Sequence, residues 1–72
     1  MHKVVKESSH MVAMLENLIH EENLPIHMHV SRDHDETGEP FSVALLEYDE
    51  KDSRIVNTVI QDARTLTTGI AL

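Results

Sequence analysis

The chain contains no cysteine. That excludes disulfide staples and thiolate zinc sites, the usual supports of a secreted mini-protein. Aromatic residues are nearly absent: Phe41 and Tyr48 stand alone, with no tryptophan, so a surface for stacking nucleic-acid bases is not available. With only two glycines there is no glycine-rich loop to cradle a phosphate. No apolar run approaches the roughly 18 residues that cross a bilayer. No charged start, apolar stretch and small-residue cleavage site follow one another. The expectation from these absences is a soluble, cytoplasmic protein without a bound cofactor.

Positive charge is also scarce. Six Lys and Arg face thirteen Asp and Glu, a formal net charge of -7 with histidine neutral. DNA, RNA and anionic membranes are attracted by basic surfaces, so none of them is an expected partner. A protein with a basic patch is, because complementary charge speeds encounter.

Seventy-two residues allow one small domain, taken as residues 1–72. A domain of about that size buries only ~60% of its unfolded surface. Self-association is a common remedy for so small a core, and a homodimer is expected.

The apolar pattern divides the chain. Val4, Val5, Ser8, Met11, Val12, Leu15, Leu18, Ile19 and Glu22 recur at three- and four-residue steps on one arc of about 140° at helical spacing. This predicts a helix over residues 9–22. Its start has two readings. The helix begins near His2 and runs through, or Ser8 or Ser9 caps it and residues 2–6 form a short strand or arm. The single arc favours the first. Asn23-Leu24-Pro25 ends the helix, since proline disfavours helical geometry in the residue before it.

From Ile26 the period becomes two. Ile26, Met28 and Val30 share one face; His27, His29 and Ser31 share the other. Asp33 to Pro40 reads as a loop. Phe41 to Tyr48 is a second strand, apolar on both faces and so the more buried of the two. Asp49 or Asp52 can cap a second helix, with Ile55, Val56, Val59, Ile60, Ala63, Leu66, Thr67 and Ile70 on its arc and Gly69 near its end. The tail Ile70-Ala71-Leu72 is expected to dock or fray. The predicted fold is a small α+β domain in the order helix-strand-strand-helix, a β-hairpin flanked by two amphipathic helices. The capped start would add a short N-terminal strand.

Six histidines and the acidic runs carry the chemical candidates. His27 and His29, two apart on one strand face, with His34 following, form a potential set for zinc, nickel or iron. Solvent-facing positions of an alternating strand tolerate histidine equally well. Asp33-x-Asp35-x-Thr37-Gly38 matches the opening of a calcium loop, but Ala44 stands where its bidentate glutamate belongs, and the flanks are strands. The serines lack a nucleophile elbow, and a chain this short has little room for a deep pocket, so no enzyme is expected. Histidine protonation near pH ~6 would move the net charge towards neutrality and suit a pH sensor.

The expectation is a non-catalytic regulatory or adaptor protein that binds another protein, of the kind found among bacterial and phage accessory proteins. Asp33, Asp35, Glu36 and Glu39 at the hairpin tip are the candidate contacts. Surplus apolar surface on the helices would build the dimer. Two alternatives stand beside it. One is a metal or pH sensor using His27, His29 and His34. The other is an acidic nucleic-acid mimic that blocks a basic protein surface.

Overall fold

The computed structural model describes residues 1–69. Strand β1 (His2–Ser8) leads into helix α1 (Ser9–Glu21). Strands β2 (His27–His34) and β3 (Pro40–Glu47) form a hairpin. A single 3-10 turn (Glu50–Asp52) then leads into helix α2 (Ser53–Gly69). The tail Ile70-Ala71-Leu72 lies outside the described residues. The fold is α+β as expected, but the order is strand-helix-strand-strand-helix, which corrects the expected helix-first order.

The correction has a physical cause. Residues 2–8 pair with β3 in seven antiparallel positions, from His2 opposite Glu47 to Ser8 opposite Phe41. In a lone hairpin one edge of β3 would keep its N–H and C=O groups unpaired, and an isolated hairpin is marginal in water. β1 closes that edge. The ladder continues past His2, where the Met1 amine donates to the Tyr48 carbonyl at 2.9 Å and the Tyr48 N–H donates to the Met1 carbonyl at 3.0 Å. Val4 and Val5, neighbours on one helical arc in the sequence reading, point to opposite sides of the sheet, 65% and 4% exposed. The Ser8 hydroxyl accepts the Met11 N–H at 3.2 Å, so the helix begins at the serine cap.

α1 ends on a left-handed residue. Asn23 has φ 51°, and its N–H donates to the His20 carbonyl while the Leu24 N–H donates to that of Ile19. This pair of bonds is a Schellman cap built on asparagine. Pro25 then stands just before β2, where it cannot break the ladder. At the second helix the expected cap at Asp49 is not made: Asp49 precedes the 3-10 turn, and its carboxylate forms no capping bond.

The strand order is β1-β3-β2, so the last strand in sequence lies in the middle. Both helices cover one side of this sheet. Val5, Ala44 and Leu46 from the sheet, with Ile26 just ahead of β2, meet Met11, Val12, Leu15 and Ile19 of α1. Val56, Val59, Ile60 and Ala63 of α2 complete the core. Ser42 is buried as well, and its hydroxyl is hydrogen-bonded to that of Ser9 at 3.0 Å. Side chains as small as Ser42 and Ala44 let α1 lie close to the central strand. α2 runs alongside β1 in the same direction: Lys3 Nζ donates to Asn57 Oδ1 at 3.1 Å, and Arg64 is ion-paired with Glu7 at 2.9 Å.

The apolar surplus expected on the helices is small. Among the described residues the exposed large hydrophobic side chains are Met1, Val4, Val30, Ile55 and Leu66, of which only the last two lie on a helix. Among the described residues, no helix is long and apolar enough to cross a membrane.

Candidate interaction surface

Among the described residues, nothing covers the side of the sheet away from the helices. Strand alternation decides what it displays. With Ala44 and Leu46 turned to the helices, β3 must present Phe41, Val43, Leu45 and Glu47 to the other side. Register adds the flanks. Opposite Glu47 stand His2 and His27; opposite Leu45, Val4 and His29; opposite Val43, Lys6 and Ser31; opposite Phe41, Ser8 and Asp33. The surface is therefore graded along the strands. One end holds three histidines around a carboxylate, the middle is apolar, and the other end is aromatic and acidic.

At the histidine end, Nε2 of His29 lies 3.5 Å and Nε2 of His2 lies 3.9 Å from the same Glu47 oxygen. Each contact is an ion pair only when its ring is protonated. His27 shares the row. Beside it a depression of about 530 Å³, open to solvent, is lined by residues including Met1, His2, Pro25, His27, Glu47 and Asp49. At the other end the Lys6 ammonium sits 4.5 Å from the centre of the Phe41 ring, a cation–π contact that partly shields the aromatic face.

His34 does not join the other two strand histidines. It lies an odd number of residues from both and turns to the opposite side of the sheet. The expected trio His27, His29 and His34 is thus divided, and His2 and Glu47 stand beside the first two instead. Among the described residues no group of three or more His, Asp or Glu side chains is arranged to hold a metal ion.

The acidic tip, residues 35–39, is built around one of its own carboxylates. Oδ1 of Asp35 accepts the Thr37 hydroxyl at 2.7 Å, the Thr37 N–H at 2.9 Å and the Glu39 N–H at 3.0 Å. The backbone closes over it, with the Gly38 N–H on the Asp35 carbonyl and the Asp35 N–H on the Glu39 carbonyl. The Thr37 hydroxyl first, and then the backbone donors, hold the Asp35 carboxyl below its ordinary value of 3.8. Gly38 has φ +88°, a geometry open to glycine and strained for other residues. Asp33 accepts the His34 N–H at 2.8 Å at the end of β2. All four expected contact residues, Asp33, Asp35, Glu36 and Glu39, are exposed. Asp35 differs from the rest in shaping the loop that carries them.

The sequence reading missed His2, Val4, Lys6 and Glu47. The signal for the first three was slight: the β-branched pair Val4 and Val5 suits a strand, but the helical arc outweighed it. Glu47 became visible only once β3 was known to turn Leu46 inwards.

No family model matches the chain, and no curated protein or solved structure proved similar to it.

Proposed function

We propose that this chain is a small, non-catalytic adaptor or regulatory protein that binds another protein through the open side of its sheet. One observation carries the reading. Val4, Phe41, Val43 and Leu45 form an apolar strip at the centre of a broad surface that carries little net charge. Its charged members are Lys6 against Glu47 and Asp33, a formal -1 on a chain that carries -7. Depletion of charge around an apolar centre is the compositional mark of interface cores. The remaining carboxylates, among them Glu36 and Glu39 at the tip, supply a negative surround that favours a partner with basic residues about its own apolar patch.

The test is capture from a native extract with three baits: the wild-type chain, the double variant Val4→Lys with Leu45→Lys, and Thr58→Lys on the exposed side of α2. The reading expects one captured protein with the first and third baits and its loss with the second. Equal capture by all three would remove the open side as the binding surface.

A second reading, proton sensing, is favoured by His2 and His29 meeting on one carboxylate oxygen. Protonation would convert two neutral contacts into ion pairs and reverse the charge of the histidine end. Capture that changes between pH 6 and pH 8 in the wild type, but not in Glu47→Gln, is its expected signature.

A further inference from the structure

Both edges of the sheet are strands with one free side, but they are not equivalent. The β1 edge is flanked by α2, which holds Lys3 and Glu7 through Asn57 and Arg64. Among the described residues, the β2 edge has no such flank. From His29 to His34 every residue is exposed, so the strand is bare on both faces. Its pairing with β3 runs without a bulge over eight positions, and it contains neither lysine nor proline. Long, regular edges without these devices are templates for another strand, and the two charges that β2 does carry, Arg32 and Asp33, are of opposite sign.

We infer that β2 pairs with β2 of a second copy of this chain, antiparallel and about a two-fold axis through Val30, giving one continuous six-stranded sheet. The inference extends the protein-binding reading by naming one partner.

Charge and register select this occupant. β2 carries one arginine and one aspartate, a neutral strand on a chain of -7. A two-fold axis normal to the sheet sets residues of the same face opposite each other, so it passes through a residue. Through Arg32 it would oppose two guanidinium groups. Through Val30 it sets Val30 against its copy, His29 against Ser31, Met28 against Arg32 and His27 against Asp33. No like charges meet. The exposed Val30 is covered, and the aliphatic stem of Arg32 lies along Met28. His27 gains a carboxylate, while His29 keeps Glu47. An axis through Ser31 would instead set His29 against Asp33, drawing it from Glu47, and set Val30 against the Arg32 guanidinium.

Long-range repulsion does not oppose the arrangement. Asp35 is five residues from the axis, so the two acidic tips stand roughly 34 Å apart at ~3.4 Å per residue, well beyond the ~8 Å screening length at physiological salt. Each tip lies next to the histidine end of the other copy. Seven opposed residues per strand would add about seven backbone hydrogen bonds.

The absence of native cysteine makes the test clean. Sedimentation of the wild type over a wide concentration range is expected to show a dimer. In Val30→Cys the two Cα atoms would be about 4.5–5.5 Å apart, so mild oxidation is expected to cross-link the pair. In Ser31→Cys they would be about 8 Å apart, outside disulfide reach, and little cross-link is expected. Val30→Lys opposes two charges at the axis and is expected to weaken association at least tenfold, roughly, with circular dichroism confirming the fold. If that variant fails to fold, the cysteine pair still decides. A wild type that stays a single chain at about 1 mM, where even weak association registers, would overturn the inference. So would a dimer untouched by a folded Val30→Lys, or cross-linking at residue 31 in preference to residue 30. Capture by the Val4 and Leu45 baits does not depend on β2, so failure here and failure of the open-side reading are told apart.

Discussion

β1 and β2 hold the same rank in the sheet. Each flanks β3, each pairs with it antiparallel, and each keeps one free edge. Yet Val5 in β1 is buried, while its counterpart Val30, facing the same Ala44, is 37% exposed. The difference lies in the helices. α1 packs on β1 and β3, and α2 runs along β1, so the helical layer is displaced towards one edge. Rank in a sheet thus decides hydrogen bonding, whereas burial is decided by what lies above. A short chain with two helices can cover about two strands well, and the third becomes surface.

That contrast can be broken in graded steps. Leu46→Ala, beneath the helices on β3, is expected to cost ~2–5 kcal/mol. Leu45→Ala next to it, on the open side, is expected to cost well under half as much, as read from urea unfolding midpoints. Similar losses at the two positions would mean the open side is covered in solution. Ser8→Ala removes the cap that separates β1 from α1 and is expected to cost about 0.5–2 kcal/mol; Ser8→Asp should restore most of it. Glu7→Gln loosens the tie between β1 and α2. Because both partners are partly exposed, the expected loss is at most ~1 kcal/mol and shrinks with added salt.

The smallest effect belongs to the hairpin tip. The Asp35 carboxyl is held below its ordinary value, so its contribution is fully present above the unfolded value of 3.8 and is lost as pH falls through the lower folded value. Denaturation curves of Asp35→Asn against wild type should differ at pH 6 and converge in strong acid. A constant gap across that range would remove the carboxylate as the holder of the loop.

Much of this architecture was legible in the sequence. The change of period at Ile26, the turn residues of the hairpin, the first helical arc from Met11 onwards and the second from Ile55 to Leu66 mark those elements. β1 was hidden because Val4, Val5 and Ser8 fit the helical arc as well as they fit a strand. What decides between them is the empty edge of β3 some forty residues away, which no local window contains. β3 posed a related difficulty. Phe41, Val43 and Leu45 are larger and more apolar than Ser42 and Ala44, yet the smaller set turns inwards because a helix must approach there. The candidate site was half legible for the same reason: His27 and His29 were placed on one face by alternation, whereas His2 and Glu47 joined them through a non-local register.

The central position of the last strand also sets an order of assembly. The β2–β3 hairpin closes across a separation of six residues at His34 and Pro40, whereas the nearest β1 contact, Ser8 with Phe41, spans thirty-three. Loop closure alone makes the second event about 1.5 kcal/mol more costly. We expect the hairpin to form in the rate-limiting step and β1 to dock after it. Val5→Ala should then mainly speed unfolding, and Gly38→Ala mainly slow refolding, in stopped-flow measurements. On a ribosome the first strand made would be the last to find its place, waiting for the centre of the sheet to emerge.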